Sequence, residues 1–190
     1  MEFKIYRLSE IEEATFRKWY QNADEERRFR ISKFKNDQAK KQSLCADGLA
    51  REMLASGMPA SAIRFRRSGH GKPEAVNSPL QFSLSHSGDF VLCAVSEAEI
   101  GADIEELHSV SPALIRRICT EEEKEFIGGD SSLFLQVWTA KEALAKLHGN
   151  GLSGDLKLLS VVQNGRLQIP DLRLYSELTA EYALSIVYKA

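Results

Sequence analysis

The stretch FVLCAVSEAEIGADIE, residues 90–105, predicts two β-strands joined by a short polar connection. Residues 90–96 are apolar at almost every position, which is typical of a buried strand. Residues 100–105 alternate instead, because a strand places successive side chains on opposite faces. One face carries Ile100, Ala102 and Ile104, and the other carries Gly101, Asp103 and Glu105. We therefore expect a sheet at the centre of the chain, with two carboxylates side by side on one strand.

Helical and extended patterns alternate on both sides of these strands. Upstream, a strand is predicted for residues 2–8, helices for 9–53, and short strands for 62–67 and 80–84. Downstream, helices are predicted for 112–119, 120–126 and 132–148, and three or four strands within 156–189. Thr120 and Glu123 have the spacing of a capping box, and Gly149-Asn150-Gly151 is a helix stop. The fold class is therefore α+β (mixed α/β), and because each half has strands that end in a hairpin, two similar lobes are expected.

Composition excludes several classes of protein. The chain has 190 residues, 43% hydrophobic and 27% charged, enough for one sizeable core or two small halves that share one. A formal net charge of −2 does not provide the basic field of a nucleic-acid-binding protein. No apolar run approaches the roughly 18 residues that span a membrane, and the charged N-terminus is not a secretory signal. Cys45, Cys93 and Cys119 are widely spaced in apolar sequence, so we expect buried thiols in a soluble, cytoplasmic protein without nucleic-acid or membrane partners.

The acidic pair on the second strand is a candidate metal site. Asp103 and Glu105 would stand roughly 7 Å apart at Cα on one face of the strand, where they repel unless solvent or a cation intervenes. Oxygen ligands without cysteine suit a hard divalent ion, Mg²⁺ above all. The small Gly101 on the same face leaves room for a ligand. The alternative is an exposed strand edge that carries acidic residues.

The segment WTAKEALAK, residues 138–146, lies in the longest predicted helix. Taking about 100° per residue, one apolar stripe is formed by Leu133, Val137, Ala140, Leu144 and Leu147. Glu142 points away from this stripe, yet Trp138 and Leu135 flank it, so the helix is expected to be buried on both sides. A buried carboxylate needs a partner. Lys146, one turn further on, could be that partner in a simple ion pair.

Two polar loops, GHGKP and SHSGD, add candidate phosphate-binding groups. Lys72, Ser85 and His86 offer charged and hydroxyl donors suited to phosphate oxygens. Arg64, Arg66 and Arg67 lie just upstream. Together with the acidic pair, these residues suggest a polyphosphate ligand.

Four motifs in this order and spacing resemble those of the 4′-phosphopantetheinyl transferases of the Sfp type. They are Gly71-Lys72-Pro73, Phe82-Ser83-Leu84-Ser85-His86-Ser87, Gly101-Ala102-Asp103-Ile104-Glu105, and Trp138-Thr139-Ala140-Lys141-Glu142-Ala143 with Lys146 and Gly149-Asn150-Gly151-Leu152. The resemblance implies a pseudo-dimer of two α/β lobes, here residues 1–105 and 106–190. It also implies that coenzyme A binds in the cleft between them.

The resemblance further implies a role for each matching residue. Asp103, Glu105 and Glu142 would bind Mg²⁺, and Lys72, Ser85 and His86 would contact the phosphates of coenzyme A. Arg27, Arg30 and Ser43 would lie near the 3′-phosphate, and Lys146 would reach the pyrophosphate. Glu142 would also act as general base, and Glu123 matches an acidic position of the family. Two departures are Ala102, in place of a larger aliphatic residue, and Gln42, where the family often has arginine.

The implied reaction is transfer of phosphopantetheine from coenzyme A to a serine of an apo acyl or peptidyl carrier protein, with release of 3′,5′-ADP. A monomer with Mg²⁺ as cofactor is expected. One alternative is a Mg²⁺-dependent nucleotide pyrophosphatase, in which water replaces the serine. The other is a non-catalytic module that binds coenzyme A or a carrier protein.

Overall fold

The computed structural model describes residues 1–67, 72–149 and 156–190. Its α-helices are α1 (Glu13–Asn22), α2 (Glu25–Ser32), α3 (Asp37–Leu54), α4 (Pro112–Ile118), α5 (Glu121–Ile127) and α6 (Ser131–His148). Its strands are β1 (Glu2–Arg7), β2 (Phe65–Arg67), β3 (Pro73–Ala75), β4 (Gln81–Ser87), β5 (Phe90–Ser96), β6 (Ile100–Glu106), β7 (Val162–Gln163), β8 (Arg166–Leu167), β9 (Arg173–Leu178) and β10 (Tyr182–Tyr188). The predicted α+β class is confirmed.

Side-chain caps divide the helical stretch predicted for residues 9–53 into three helices. Asp24 accepts a hydrogen bond from the backbone N–H of Arg27 at the start of α2. Asn36 accepts from the N–H groups of Gln38 and Ala39 at the start of α3. Each cap satisfies N–H groups that have no partner inside the helix, so a new helix begins at these points.

The strands form two three-stranded antiparallel sheets, in the orders β1-β5-β4 and β6-β10-β9. The expectation of a hairpin between the strands that begin at Phe90 and Ile100 is wrong, because β5 and β6 belong to different sheets. The physical reason is that β5 is a central strand whose two edges are already hydrogen-bonded to β1 and β4. The connection 97–99 therefore leads the chain from the first sheet into the second. Two short pairs, β2-β3 and β7-β8, complete the strand pairing of the described residues.

The two sheets face each other across an apolar layer. Residues of this layer come from β5, β6 and β10, and all are at most 4% exposed: Phe90, Leu92, Ala94, Ile100, Ala102, Ile104, Leu184 and Ile186. Burial of one such large aliphatic side chain contributes about 1.5–3 kcal/mol relative to exposure. The alternation predicted for the strand that begins at Ile100 thus directs its apolar face to the other sheet.

A long helix covers the outer face of each sheet. Leu49, Ala50 and Leu54 of α3 pack on Cys93 and Val95 of β5 in the first sheet. Val137, Ala140 and Leu144 of α6 pack with Ala183 and Val187 of β10 in the second sheet. Each half is therefore a three-stranded antiparallel sheet with one long helix, which agrees with two similar lobes.

The boundary between the lobes at residues 105 and 106 remains a prediction. The strand β6, which this boundary divides, hydrogen-bonds to β10 along its whole length. The three cysteines are buried and free, as expected. Among the described residues, no helix is both long and apolar enough to cross a membrane.

The helix ends near the predicted site follow the sequence signals. Thr120 and Glu123 form the capping box at the start of α5, so this prediction is confirmed. Helix α6 begins at Asp130, which caps the N–H groups of Ser132 and Leu133. It ends at Gly149 with φ of 71°, a left-handed conformation that glycine adopts at little cost. The rest of the stop signal, Asn150 and Gly151, lies outside the described residues.

Candidate active site

Three serines of β4 connect the first sheet to β6 of the second. The Ser83 hydroxyl oxygen accepts from the N–H of Ala102 at 2.9 Å. The Ser85 hydroxyl donates to Asp103 Oδ1 at 2.6 Å, and the Ser87 hydroxyl donates to Glu105 Oε2. Only Ser85 was singled out in the sequence. The alternation in FSLSHS is the signal that places all three serines on the face towards β6.

Helix α6 lies directly on the other side of β6. A Cβ atom added to Gly101 would be 1.9 Å from the Ala143 carbonyl oxygen and 2.5 Å from the Leu147 nitrogen. The expectation that Gly101 leaves room for a ligand is therefore wrong. Its missing side chain instead allows the backbone of α6 to approach the strand closely.

Lys146 extends from α6 between the two sheets. Its ammonium group donates to Asp103 Oδ1 at 2.7 Å and to the carbonyl oxygens of Leu84 and Ala102 at 3.2 and 3.0 Å. Its ion-pair partner in the structure is Asp103. The alternative of a simple Glu142–Lys146 pair is not what the described residues form, because packing of α6 on β6 brings Asp103 closer.

Glu142 is 6% exposed, and its Oε1 atom has no hydrogen-bond partner among the described residues. The same is true of Asp103 Oδ2. Burial, followed by the negative charge of Asp103, raises the pKa of Glu142 to about 7, although the charge of Lys146 opposes the shift. The side chain therefore exchanges a proton near neutral pH.

These two unpartnered oxygens fit a divalent cation, which would relieve the repulsion between the buried carboxylates. Glu105, the third residue predicted to bind Mg²⁺, lies on the same face of β6 and accepts from the Trp138 indole N–H at 3.2 Å. In the part of the chain that the structure describes, no group of three or more His, Cys, Asp or Glu side chains is arranged to hold a metal ion. Two of the three predicted ligands thus have unused oxygens, and Glu105 has other partners.

The predicted phosphate contacts near this cluster already have protein partners. The Lys72 ammonium donates to the carbonyl oxygens of Ile100 and Lys146, both at 2.9 Å, and burial lowers its pKa. These two bonds use two of the three N–H donors of the ammonium, whereas the Ser85 hydroxyl would have to exchange its partner to donate to a phosphate. Desolvation by its surroundings, followed by the charge of Lys146, lowers the pKa of His86, so this imidazole is neutral at pH 7. The neighbouring motif residue Gly71 lies outside the described residues, as does Leu152.

A cavity of about 310 Å³ lies on the other side of β4, between α2, α3 and the β2–β3 pair. Arg27 and Arg30 of α2 line it together with the rings of Phe65 and Phe82. Ser43 is next to this group, because the Arg27 guanidinium donates to its hydroxyl oxygen at 2.9 Å. The three residues predicted near the 3′-phosphate therefore lie together at this cavity.

Below the cavity is an ion-pair network that sequence reasoning missed. Arg51, 1% exposed, is bonded to Asp47 at 2.7 Å and to Asp24 at 3.0 Å. Its guanidinium also donates to the Ile63 carbonyl oxygen and lies over the ring of Phe65. The four-residue spacing of Asp47 and Arg51 on α3 was the available signal. This network fixes Asp24 and Asp47, two of the acidic side chains of the cavity, to a buried cation.

The structure thus gathers the predicted residues into two groups on either side of β4. One group contains Lys72, Ser85, Asp103, Glu105, Glu142 and Lys146, and the other contains Arg27, Arg30 and Ser43. His86 is in neither group: it follows Ser85 on β4, so its side chain lies on the opposite face of the strand and is exposed. Leu84 belongs to both, because its side chain lines the cavity while its carbonyl oxygen accepts from Lys146. A ligand with a polar, anionic chain could reach from one group to the other along this strand.

Two family models match successive parts of the chain. Residues 11–98 match the N-terminal region of 4′-phosphopantetheinyl transferases, and residues 99–187 match the 4′-phosphopantetheinyl transferase superfamily. Their junction lies in the connection between β5 and β6, where the chain passes from one sheet to the other.

Curated relatives carry the same designation. The chain is 30% identical over 158 residues to the 4′-phosphopantetheinyl transferase Sfp of Bacillus subtilis, which covers 77% of this chain and 70% of Sfp. It is 35% identical over 133 residues to psf-1 of Bacillus pumilus, a match that spans 65% of this chain but 56% of that protein. A similar match, 29% over 138 residues, is found with HetI of a Nostoc species, covering 65% of this chain and 58% of HetI. The chain thus spans 56% to 70% of the length of these relatives, and on these matches it belongs to the 4′-phosphopantetheinyl transferase family.

Proposed function

We propose that this protein transfers the 4′-phosphopantetheine group of coenzyme A to a serine hydroxyl of an apo acyl or peptidyl carrier protein, releasing 3′,5′-ADP. Membership of the family supports this class of reaction. The observation that carries the proposal is the pair of buried carboxylates of Asp103 and Glu142, each with one oxygen without a hydrogen-bond partner among the described residues, together with Lys146, whose ammonium is 2.7 Å from the other Asp103 oxygen. Such an arrangement of acid and cation suits the transfer of a phosphoryl group.

Glu142 is the proposed general base. Without a bound cation its pKa is raised to about 7, close to the operating pH at which a base is most effective, and a cation on Asp103 would lower this pKa and favour the carboxylate that accepts the proton. As the serine oxygen attacks the phosphorus that bears the pantetheine arm, Glu142 takes the serine proton. The new P–O bond forms on one side while the bond to the bridging oxygen of 3′,5′-ADP breaks on the other, and its electron pair leaves with the nucleotide.

Lys146 is proposed to stabilise the negative charge that develops on the phosphates. Its ammonium group is fixed by Asp103 and two carbonyl oxygens, so it would act through its positive charge at a set position, and a direct hydrogen bond to a phosphate would replace one of these partners. Lys72, which contacts β6, and His86, on β4, would bind the phosphates as hydrogen-bond donors.

Mg²⁺ is the proposed cofactor, held by Asp103 and Glu142 through their unpartnered oxygens, with Glu105 as the third ligand. When bound, the ion would supply positive charge to neutralise the pyrophosphate. The cavity bounded by Arg27 and Arg30 would receive the nucleotide end of coenzyme A, with aromatic rings from Phe65 and Phe82 available for the base.

The place of action is part of the proposal. The three buried free thiols support a reducing compartment, and we propose the cytoplasm. Both groups of site residues come from one chain, which supports a monomer. The acidic net charge of −2 supports a carrier protein rather than a nucleic acid as macromolecular partner.

The test is intact-mass analysis of several apo-carrier proteins after incubation with the protein, Mg²⁺ and coenzyme A. We expect one carrier to gain the mass of a single phosphopantetheine group, and a carrier whose serine is replaced by alanine to gain nothing. Rapid release of 3′,5′-ADP without any carrier would instead support the pyrophosphatase. Binding of coenzyme A without turnover on any carrier would support a non-catalytic module.

A further inference from the structure

We propose that Arg66, on β2, is a third cation of the nucleotide cavity and selects ligands with a phosphate group on the ribose. This inference rests on the proposed function and gives a specific role to a residue that the sequence suggested only as one of three upstream arginines and that the family motifs do not include. Arg66 lines the same cavity as Arg27 and Arg30 but comes from a different part of the fold. The cavity is therefore bounded by guanidinium groups from α2 and from the β2–β3 pair.

Arg66 is held by an interaction that an anionic ligand can replace. Its Nε atom is 2.9 Å from Glu74 Oε2, with side-chain exposures of 70% for Arg66 and 35% for Glu74. Exposed ion pairs of this kind contribute about 0–1 kcal/mol. Arg51 provides the contrast, because it is 1% exposed and bonded to Asp47 and Asp24. A ligand can therefore recruit Arg66 at small cost, whereas Arg51 remains a structural cation.

Arg30 presents a second donor to the cavity. Its terminal nitrogen is 2.7 Å from Glu26 in an exposed pair, while its Nε atom is buried without a hydrogen-bond partner among the described residues. A buried N–H donor without a partner is costly, so a ligand oxygen at this point would be favourable. Arg30 and Arg66 together can bind a planar or tetrahedral anion in the cavity.

The charge around the cavity favours a dianion rather than a neutral ribose. Asp24, Glu26 and Asp47 also line it, and each is paired with an arginine: Asp24 with Arg51, Glu26 with Arg30, and Asp47 with both Arg51 and Arg27. With Arg66, four guanidinium groups face these three carboxylates, so the balance is positive. Gln42 of α3 contributes no cation, because its amide donates to the Gly88 carbonyl oxygen at 2.9 Å. A phosphate monoester carries a charge of about −1.5 to −2 at pH 7, and guanidinium groups bind such anions through paired hydrogen bonds. Arg66 would thus supply positive charge that Gln42 does not.

The test compares coenzyme A with 3′-dephospho-coenzyme A by titration calorimetry. For Arg66→Gln, we expect the Kd of coenzyme A to rise about 3- to 10-fold, the range of an exposed charge-assisted contact, with the Kd of the dephospho compound changed less than about twofold. Arg64→Gln is the matched control, because the Arg64 guanidinium is bonded to the Ser61 and Ile63 carbonyl oxygens. Glu74→Gln should tighten coenzyme A binding slightly by releasing Arg66.

An equal rise in Kd for both ligands in Arg66→Gln, or an unchanged Kd for both, would overturn the role of Arg66. In that case tight binding of coenzyme A by the unmodified protein would leave the proposed function intact. Failure of the unmodified protein to bind coenzyme A would overturn the proposed function and this inference together. Thermal unfolding of each variant shows that the fold is unchanged, as expected for an exposed residue.

Discussion

At the scale of single residues, Glu142 and Gly101 explain how one helix face serves both packing and chemistry. Gly101 lets the α6 backbone approach β6, and this close contact places Lys146 next to Asp103. Glu142 is buried by the same packing but keeps an oxygen without a partner. Burial between helix and strand, followed by the charge of Asp103, therefore raises the pKa of the carboxyl group that the proposed reaction uses as its base.

Replacement of Glu142 by Gln should separate catalysis from binding. The change preserves size but removes charge and basicity, so we expect kcat to fall by roughly 10²–10⁴ while coenzyme A still binds within about tenfold. Steady-state kinetics and calorimetry measure the two effects. Gln136→Ala is a control on the same helix, since its side chain bonds Ser176 instead. Near-normal turnover in Glu142→Gln would remove Glu142 from the mechanism.

Replacement of Gly101 by Ala should destabilise the fold. The new methyl group would collide with backbone atoms of Ala143 and Leu147, which cannot rotate away, so we expect a loss of about 1–3 kcal/mol in the free energy of unfolding. Urea denaturation measures this loss. Gly57→Ala is the comparison: nothing lies near the added atom, but φ is +85°, so only backbone strain of about 1 kcal/mol is expected. No loss at Gly101 would mean that α6 and β6 are further apart than described.

At the scale of secondary-structure elements, a buried ion pair fixes α6 to its surroundings. Lys141 and Glu123 are both fully buried and 2.8 Å apart. Lys141 also donates to the carbonyl oxygens of Leu156 and Leu159, and Glu123 accepts from the N–H of Val161. This network ties α5, α6 and the segment that begins at residue 156. Glu123, which matches an acidic position of the family, therefore has a structural role: it is the counter-ion of Lys141, the residue before Glu142.

Replacement of Glu123 by Gln should lower the free energy of unfolding by about 3–5 kcal/mol, because it leaves the Lys141 charge buried without a counter-ion. Adding Lys141→Met to this variant should recover a large part of the loss. Urea denaturation of the single and double variants measures both. The control is Glu121→Gln, which breaks the ion pair between Glu121 and Lys124. This pair is on the surface, because the side chain of Glu121 is 88% exposed and that of Lys124 is 26% exposed. Its expected cost is below about 1 kcal/mol, and equal costs at the two positions would contradict the network.

At the scale of the whole molecule, the fold is a stack of four layers: α3, the first sheet, the second sheet and α6. Residues of β5 are buried on both sides, with Leu92 towards the second sheet and Cys93 towards α3. Burial raises the pKa of the Cys93 thiol to about 12, and that of Cys45 on α3 also to about 12. The layered core therefore holds these thiols neutral.

The stability of the molecule should fall at alkaline pH because of these thiols. In the unfolded chain Cys93 loses its proton near pH 9, but in the folded protein only near pH 12. Between these values the folded state binds more protons, so its free energy of unfolding decreases as pH rises, by at most about 1.4 kcal/mol per pH unit for each thiol.

Urea denaturation of Cys93→Ala at pH 8 and pH 10 tests this contribution. From pH 8 to pH 10 the free energy of unfolding should fall in both proteins, but by about 1 kcal/mol less in the variant than in the unmodified protein. Val91→Ala, on the same strand, creates a cavity without removing a titrating group, and it should keep the full pH dependence. The same pH dependence in both variants would contradict the assignment to Cys93.

Sequence patterns alone predicted the class of fold and the candidate acidic residues, whereas Arg27, Arg30 and Ser43 were predicted only from the resemblance to the family. Strand alternation placed Asp103 with Glu105 and apart from Ile104, and helical periodicity showed that the face of Glu142 is buried. The capping box at Thr120 and the burial of the cysteines were also predicted from neighbouring residues in the sequence. Each of these depends only on residue spacing along one element, which the chain itself specifies. The motifs also identified the family, which the matches of both halves confirm.

Only the tertiary structure decided which elements meet. The strands that begin at Phe90 and Ile100 lie in different sheets, because β1 and β4 already occupy both edges of β5. Lys146 pairs with Asp103 rather than Glu142, and the space beside Gly101 is filled by α6. Periodicity along an element specifies which face of it is buried, but contacts between elements depend on which edges and faces remain available after packing.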